Sequence, residues 1–553
     1  MSQDPRLLAE PSDVAKLFAN DMEKNYFDIW YSLTGVLGGG FFKDDFWRRT
    51  IPQLSRDHPS IRYAAMAIGA VGIAVRPRLQ KLSHAELRAK GPHYDKALMY
   101  YNQAIREVRS AAVSESSLRA AVICCILFVC FEALHGDGGA ALQHIGYGQK
   151  MMDELMDKSN KDVATGLGDE TLEDDTLHVF QRLILQSWTC GIVRPRKLLT
   201  ADGKPKTTWC CQGGSKGTGT LDKMPDRFDD LDEARRWWDV TQHFIIHRSN
   251  SAYTRFETDL PGMSVHCRMR EALNGEPSHI DPMDDGEPRD LRIPEHQEYF
   301  ARYLQQWADR FRPLYDRARQ YKNEDIKTYL QGISLQVQYI ALYICVRAPL
   351  ACELEVMQGM TPQFREMVRL SRTILESQPR VGGFESREVF TMDTGPTWPL
   401  FITAVRCRDA DVRSEAVELL QSHPRRDGLW DSRLFAAMGL RGLESEFENA
   451  IEGTESEQWK RLQQRVLVSD SKGCCTLRYL TRDTQTGTWI PTTESIWPYL
   501  AKVEARALQI HQELDQKESI AGKTHMTVGV DSWEKMGRAN FLGVTDVEGF
   551  HSY

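Results

Sequence analysis

The acidic run from Asp229 to Glu233 (Asp-Asp-Leu-Asp-Glu) comes nearest, by residue type and spacing, to a catalytic pattern. An aspartate-rich turn of the form D-D-x-x-[DE] can hold Mg²⁺ against a substrate diphosphate, because hard oxygen ligands suit that ion. The second metal-binding motif of a helical prenyl-diphosphate enzyme, with Asn, Ser and Glu at fixed steps, does not follow downstream. Acidic residues also stabilise the first turn of any helix, and Pro225 and Phe228 are typical of a helix entry. We therefore favour a helix start, with a Mg²⁺-dependent prenyl-diphosphate enzyme as the alternative.

Other patterns that can carry chemistry are incomplete. His243 and His247 share a helix face at a spacing that can chelate zinc, but no Glu follows His243 as H-E-x-x-H requires. The glycine-rich residues 35–40 and 213–219 both miss the phosphate-binding pattern G-x-x-x-x-G-K-[ST]. Residues 262–266 lack the last glycine of a G-x-S-x-G nucleophile turn. The sequence therefore predicts a protein that is not an enzyme and that holds no metal or cofactor.

The composition is that of a folded globular chain without a strongly basic surface. The 553 residues are 41% hydrophobic and 26% charged, and the formal net charge is -8. Because a protein that grips phosphates by itself usually carries a basic surplus, we expect no strong direct DNA binding. The 12 cysteines include no C-x-x-C pair, whereas a two-zinc, six-cysteine cluster needs six closely spaced thiolates. This sequence cannot build such a cluster.

The sequence also bears on membranes and export. Residues 1–20 are mixed and charged and show no signal peptide. No uninterrupted apolar window of about 18 residues appears. The most apolar stretch runs from Leu118 to Leu134 and is interrupted by Arg119 and Glu132, which is typical of a buried core helix. We expect no membrane contact and, since no export signal accompanies the cysteines, mostly free thiols.

Helical periodicity covers most of the chain. From Tyr94 to Ala111 apolar residues recur at steps of three and four, and Ser114 then offers an N-cap for the next helix. The short connection from His135 to Gly139 favours an antiparallel neighbour. These patterns predict an all-α fold, a large array of antiparallel helical hairpins, with a small β-ribbon at residues 464–492 near the C-terminus.

The patterning divides the chain into three parts. Residues 1–20 form an N-terminal extension, and residues 21–515 form one helical domain. Inside that domain, residues 200–222 are rich in Gly, Lys and Thr, and residues 274–294 in Gly, Pro and acids, so both stretches predict surface loops. Residues 516–553 have weak periodicity and predict a disordered C-terminal tail.

Three parts of the chain together resemble one known family. They are Phe46-Trp47 with residues 61–70; residues 101–105 with 124–132 and 141–148; and residues 398–401 with 407–416 and 424–432. In this order and spacing they resemble the C-terminal regulatory region of fungal zinc-cluster (Zn2Cys6) transcription factors, the fungal-specific transcription factor domain. The resemblance extends from about residue 20 to about residue 510.

The resemblance implies a transcription regulatory protein of the nucleus that acts through its helical effector domain on a secondary-metabolism or catabolic gene set. It implies contact with the transcription machinery or a DNA-binding partner regulator, a small-molecule effector and a homodimer. In the family an N-terminal zinc cluster reads DNA, whereas Met1 here lies just before the helical region. We therefore expect no direct DNA contact by this chain. Three explanations are open: the gene model is cut short, the protein has lost its DNA-binding zinc cluster and acts through a partner, or the helical domain has been recruited to another function. A non-regulatory helical scaffold is the other alternative.

A set of aromatic and charged residues forms the structural signature of this resemblance. They are Trp47, Arg62, Glu132, His144, Arg408, Asp409, Arg413, Glu415, Arg425, Arg426, Trp430 and Asp431. Trp47 supplies apolar area for a core, and Asp411 is placed to cap a helix that starts near Val412. Arg425 and Arg426 are placed to pair with acids at such helix starts. We expect these side chains to lock helix ends and not to catalyse a reaction.

Overall fold

The N-terminal half of the chain folds into helices around a first apolar core. A computed structural model of the chain describes residues 17–38, 41–42, 45–75, 84–89, 91–112, 114–162, 170–189, 221, 224–248, 256–258, 294–349, 352–382, 388–469 and 475–520. The helices of this half are α1 (Asp21–Leu37), α2 (Ile51–Asp57), α3 (Pro59–Val75), α4 (His84–Ala89), α5 (His93–Ser110), α6 (Glu115–His135), α7 (Gly138–Asp162) and α8 (Glu170–Thr189). A π-helical turn, Phe46–Thr50, leads directly into α2.

Helices α3 and α6 lie at the centre of this first core. Ser114 caps α6 by accepting a hydrogen bond from the backbone N–H of Ser117, and Gly136 ends the helix at a φ of 91°. Helix α3 packs against α1, α5 and α6. At Gly69 its backbone lies so close to Tyr26 of α1 that a Cβ atom would meet the Tyr26 carbonyl. Small residues in α3 therefore set the distance between these two helices.

The C-terminal half surrounds a second apolar core. Its helices are α9 (Leu231–Arg248), α10 (Pro294–Gln320), α11 (Ile326–Arg347), α12 (Leu354–Gly359), α13 (Thr361–Gly382), α14 (Thr397–Arg406), α15 (Ala410–Ser422), α16 (Ser432–Asn449), α17 (Glu455–Leu462) and α18 (Trp497–Ile520). Consecutive helices joined by short connections pack together, as α10 does with α11 and α14 with α15. The indoles of Trp238 and Trp307 meet in the middle, with ring centroids 4.7 Å apart. Each indole N–H finds an acceptor, on Gln338 and on the Ala234 carbonyl.

Two small sheets accompany the helices. The strands are β1 (Phe256–Thr258), β2 (Val389–Thr391), β3 (Arg425–Asp427), β4 (Trp430–Asp431), β5 (Val466–Ser469), β6 (Cys475–Arg482) and β7 (Trp489–Ser495). One sheet has the order β1-β5-β6-β7 and the other β2-β3-β4. Strand β6 is antiparallel to both β5 and β7, while β2 runs parallel to β3. The second sheet places Arg425, Arg426 and Asp427 inside the protein.

The predicted all-α class with a C-terminal β-ribbon is confirmed, and β5, β6 and β7 are the ribbon. The small sheet of β2, β3 and β4 was not predicted, because its strands are only two or three residues long. The helix predicted to start near Val412 starts at Ala410, and its N-cap is Asp409 and not Asp411. The Asp409 carboxylate accepts hydrogen bonds from the backbone N–H groups of Asp411 and Val412.

Most of the predicted loops and tail lie outside the described residues. Within residues 200–222 only Leu221 is described, and within 274–294 only Pro294. Helix α18 continues to Ile520, past the predicted boundary at residue 515, and residues 521–553 are outside the described part. The division into an extension, one domain and a tail stays a prediction.

Helices α6 and α11 are long and apolar enough, by length and composition alone, to cross a membrane. Most of each helix is buried inside the fold. The central helices of a globular core can have the same length and apolar composition as a membrane span. The burial of α6 and α11 inside the fold is consistent with that role.

Candidate functional site

A cleft lined with charged side chains lies where the two apolar cores meet. It encloses about 110 Å³. Its walls are the end of α1, the π-helical turn, α8, α9 and the segment after β2, and its lining residues are Leu37, Gly38, Asp45, Phe46, Trp47, Asp175, His178, Val179, Arg182, Asp232, Arg235, Arg236, Asp239, Met392 and Asp393. Trp47 and Val179 belong to the first core. Helix α9 carries Trp238 of the second core, so the charged cleft spans both halves of the protein.

Two arginines and two aspartates form an ion network inside the charged cleft. Arg182 donates to Asp239 at 2.7 Å and lies 3.7 Å from Asp393. Arg235 donates to the same Asp393 at 2.5 Å. The Nδ1 atom of His178 lies 3.6 Å from the Asp239 carboxylate. Since these side chains come from α8, α9 and the segment after β2, the network ties three distant parts of the sequence together.

Backbone hydrogen bonds hold Asp393 in the network. The Thr391 hydroxyl and the Met392 N–H both donate to the carbonyl of Leu37, at the end of α1. The Asp393 N–H donates to the Thr391 hydroxyl, and the Thr394 N–H donates to the Asp393 carboxylate. These bonds fasten the segment after β2 to α1. They also fix the orientation of the Asp393 carboxylate that Arg182 and Arg235 contact.

Burial and neighbouring charge act in opposite directions on the two arginines. Burial disfavours the charged form of Arg182, but Asp239 and Asp393 together outweigh it and raise the pKa of Arg182. Burial lowers the pKa of Arg235, and Asp393 offsets that effect only in part. Arg235 also stacks over the ring of Phe42 at 4.3 Å. Both guanidinium groups remain positively charged, because arginine titrates far above neutral pH.

The lining of the charged cleft is dominated by carboxylate and guanidinium groups. Among the lining residues that the structure describes there is no Ser, Cys or Lys to act as a nucleophile. Five aspartates face three arginines and one histidine, so the lining carries an acidic surplus. Two of the aspartates, Asp239 and Asp393, are already engaged by arginine. Such a lining favours a small polar ligand with a positive group over a lipophilic one.

The acidic run from Asp229 to Glu233 is the start of α9. The Glu233 N–H donates to the Asp230 carboxylate at 2.7 Å, and the Asp229 N–H donates to the Glu233 carboxylate at 2.7 Å. Hydrogen bonds of this kind, between acidic side chains and free backbone N–H groups, are typical of a helix N-terminus. Within the described part of the chain, no group of three or more His, Cys, Asp or Glu side chains is arranged to hold a metal. Of the run, Asp232 reaches the charged cleft.

The structure describes only part of the other incomplete motifs. His243 is buried on α9, and the side chain of His247 is outside the described part. Residues 213–219 and 262–266 are also outside it, as are residues 39–40 of the first glycine-rich stretch.

Two signature residues of the N-terminal half meet through Tyr101. The Tyr101 hydroxyl donates to Glu132 at 2.7 Å and contacts Nε2 of His144 at 2.6 Å. Because the single hydroxyl proton goes to Glu132, Nε2 of His144 is the donor of the second bond. Burial, followed by the charge of Glu132, raises the pKa of Tyr101, and burial lowers the pKa of His144. This polar triad joins α5, α6 and α7 inside the first core.

The remaining signature residues of the N-terminal half are Trp47 and Arg62. Trp47 lines the charged cleft, and Arg62 contacts α2. Trp47 is buried, with its ring edge-on to Phe46 at 5.1 Å, and it lines the charged cleft. Arg62 lies in the first turn of α3 and donates to the carbonyl of Ser55 at 2.8 Å. It therefore fastens α3 to the end of α2.

A second group of signature residues lies on strands β3 and β4 of the small sheet. Arg425 donates to Asp427 through Nε at 2.8 Å and Nη2 at 2.6 Å. Arg426 forms an ion pair of 2.7 Å with Asp431, the N-cap of α16, and also donates to the carbonyl of Ala133 on α6. Trp430 stacks on Trp398 with ring centroids 5.8 Å apart. Arg426 thereby links the C-terminal half to the central helix of the first core.

The last four signature residues lie on and before α15. Arg408 and Arg413 both reach Glu446 of α16, at 3.1 and 2.6 Å. Asp409 pairs with Arg365 at 2.6 Å, and Glu415 pairs with Arg372 at 2.8 Å. These contacts join α15 to α13 and α16.

The signature residues do not line one common cleft, although Trp47 lies in the charged cleft, and sequence reasoning missed the ion network inside that cleft. Arg182, Asp239 and Asp393 are far apart in the sequence, and no local motif marks any of them. Tyr101 and Asp427 lie inside stretches that carry the family resemblance, so position in those stretches was the only signal that pointed to them.

Comparison with known proteins gives one match. A family model described as fungal specific transcription factor domain matches residues 26–182. This segment runs from α1 into α8 and includes the Tyr101 triad and the α8 wall of the charged cleft. No curated protein matches the chain significantly, and no solved structure does.

Proposed function

We propose, from the match of residues 26–182 to the fungal specific transcription factor domain family, that the chain is the effector module of a transcription regulator. The family match is the observation that carries this proposal. The helical body, with its two cores joined by buried ion pairs, supports it because such a body can present surfaces to partners and enclose an effector. We propose that it works in the nucleus, as a monomer or a homodimer, on a secondary-metabolism or catabolic gene set.

We propose that contact with specific DNA comes from a partner regulator and not from residues 1–553. These residues carry a formal net charge of -8 and no C-x-x-C pair. A basic surplus and closely spaced thiolates are what a zinc-cluster reader would need. The helical body would then act through the partner or directly on the transcription machinery.

The charged cleft is our candidate for the effector site. It lies between the two cores, so a bound molecule would contact α8 from the first half and α9 from the second. A ligand that binds one arrangement of the halves more tightly than another shifts the population toward that arrangement. The acidic surplus of the lining favours a small molecule with an amino or guanidino group.

A tethering experiment tests the proposed function. The full chain is fused to a heterologous DNA-binding domain, and expression of a reporter with matching upstream sites is measured. We expect the fusion to change reporter expression several-fold relative to the DNA-binding domain alone. Deleting the gene should also change the transcripts of a defined gene set. An inert fusion together with an unchanged transcript profile would contradict the proposal and leave the scaffold and enzyme alternatives.

The effector site has its own test. Thermal unfolding of the purified chain is followed with putrescine and with citrate as probes of opposite charge. We expect putrescine to raise the midpoint and citrate to have no effect, since ligand binding stabilises the folded state by mass action. The variant Asp232→Asn should lose the response while Asp309→Asn, an exposed acid away from the cleft, keeps it. An identical response in both variants would exclude the charged cleft.

A further inference from the structure

Two charged residues at the mouth of the charged cleft stand outside its ion network. Asp45 is the N-cap residue of the π-helical turn on one wall, and Arg236 lies in the second turn of α9 on another wall. Both residues are exposed to solvent, whereas Asp239 at the centre of the network is buried. The mouth of the cleft therefore offers one carboxylate and one guanidinium group to a molecule that enters from solvent.

Neither Asp45 nor Arg236 has a charged partner among the described residues. The Asp45 carboxylate makes no capping hydrogen bond to the π-helical turn. No ion pair joins the two residues, although both line the same cleft. The other four lining aspartates all interact with one of the two network arginines. Asp45 and Arg236 are thus the unpaired aspartate and the unpaired arginine of the lining in the part of the chain that the structure describes.

Opposite charges that are held apart at one opening complement a molecule that carries both charges. An α-amino acid presents an ammonium group and a carboxylate on the same carbon atom, so it can bridge an aspartate and an arginine that do not reach each other. The planar guanidinium group of Arg236 can bind a carboxylate through two parallel N–H···O bonds. A simple amine would leave Arg236 unused. A simple carboxylic acid would leave Asp45 unused and would meet the acidic surplus of the lining.

We propose that the charged cleft binds an α-amino acid, with its ammonium group on Asp45 and its carboxylate on Arg236. This inference rests on the proposed function, because it names the class of effector for the site that we place in the charged cleft. It adds a requirement for a carboxylate, which the acidic surplus of the lining would not by itself predict. Because the π-helical turn supplies Phe46 and Trp47 to the first core and α9 supplies Trp238 to the second, the bound amino acid would bridge the two halves.

Amino acids and their decarboxylated counterparts provide matched pairs of probes. Ornithine differs from putrescine, and alanine from ethylamine, only by the α-carboxylate. In at least one pair we expect the amino acid to raise the unfolding midpoint of the full chain more than the amine does. Its Kd by titration calorimetry should be about ten-fold lower, as expected for one additional hydrogen-bonded ion pair. Non-specific attraction to this acidic chain predicts the reverse order, because each amine carries the larger positive charge.

Variants at the mouth of the cleft assign the two ends of the ligand. Arg236→Gln should abolish the preference for the amino acid and leave the binding of the amine unchanged. Asp45→Asn should weaken both members of a pair, because both carry the ammonium group. The matched control Arg49→Gln removes a positive charge from an exposed position of the π-helical turn outside the cleft lining, and it should keep the preference. Since all three positions are exposed, the midpoints without ligand should equal that of the wild-type chain.

The results separate this inference from the function on which it rests. Amines that bind as tightly as the amino acids in both pairs overturn the inference and leave the charged cleft as a site for amines. A preference that persists in Arg236→Gln overturns it as well. If none of the probes raises the midpoint, the effector site and the inference fail together. The tethered reporter tests the transcription function independently, because it requires no added ligand.

Discussion

At the scale of single residues, the protein places many charged side chains in its interior and pairs several of them with oppositely charged side chains. Asp427 is fully buried and accepts hydrogen bonds from Arg425 and from both the N–H and the hydroxyl of Thr397. Arg433 and Glu388 form a similar enclosed pair at 2.5 Å. Removing one member of such a pair leaves the other without compensation, and this cost exceeds the value of the intact pair.

We therefore predict that Asp427→Ala lowers the free energy of unfolding by about 3–5 kcal/mol. The double variant Arg425→Met/Asp427→Ala should recover part of that loss, because it no longer buries an uncompensated guanidinium group. Urea denaturation of Asp427→Ala, Arg425→Met and the double variant measures the coupling energy between the two side chains. Additive losses would show that the two side chains do not interact.

A second prediction concerns His144 and pH. Burial lowers the pKa of His144 from its ordinary 6.5, so below about that pH the unfolded chain binds a proton that the folded chain resists. The free energy of unfolding should then fall as the pH drops through this range. In His144→Gln, which keeps a side-chain donor but does not titrate, the fall between pH 7 and pH 5 should be shallower. Urea midpoints across this range provide the measurement, and equal slopes in both proteins would contradict the prediction.

At the scale of elements, helix ends are fastened by their own side chains. Asp409 caps α15, Asp431 caps α16 and Thr454 forms a capping box on α17. The acidic run at the start of α9 follows the same rule, since Asp230 accepts from the Glu233 N–H. A cap of this kind contributes about 1 kcal/mol.

The capping role and the metal alternative predict different results for this run. Asp230→Ala should lower the free energy of unfolding by about 0.5–2 kcal/mol, while Asp229→Ala should change it by less than about 0.5 kcal/mol. Millimolar Mg²⁺ should not raise the unfolding midpoint of the wild-type chain. Mg²⁺-dependent turnover of a prenyl diphosphate that disappears in Asp229→Ala would establish the enzyme alternative instead.

The contact between α1 and α3 gives another prediction at this scale. A Cβ atom at Gly69 would lie against the backbone of Tyr26, which cannot move without separating the two helices. Gly69→Ala should destabilise the protein by at least about 1–3 kcal/mol. Gly146→Ala is the matched control, because a Cβ at Gly146 of α7 meets nothing within 4 Å and alanine is the better helix former. Similar thermal midpoints for both variants would refute the close approach.

At the scale of the whole molecule, polar contacts join the two apolar cores. Arg182 of α8 binds Asp239 of α9, and Arg426 binds the Ala133 carbonyl of α6. Helix α8 itself contributes Phe180 to the first core and Leu185 to the second. The halves should therefore unfold together.

Arg182→Met tests this coupling. We expect it to lower the free energy of unfolding by about 3–5 kcal/mol and to speed amide hydrogen exchange in both α3 and α11, which lie in different cores. Arg236→Met, on the exposed side of the same cleft, should change stability by less than about 0.5 kcal/mol. Faster exchange confined to one half would show that the cores are independent.

Local sequence determined the elements of this protein. Apolar spacing at 3.6 residues predicts α5 and α6, Ser114 marks a helix start, and alternation predicts the ribbon of β5, β6 and β7, because these features depend on near neighbours in the chain. The family resemblance likewise follows from short stretches of residues. The charged cleft was decided only by the tertiary structure. Arg182, Asp239 and Asp393 meet because α8, α9 and the segment after β2 pack at one junction, and no local pattern encodes contacts between residues so distant in sequence.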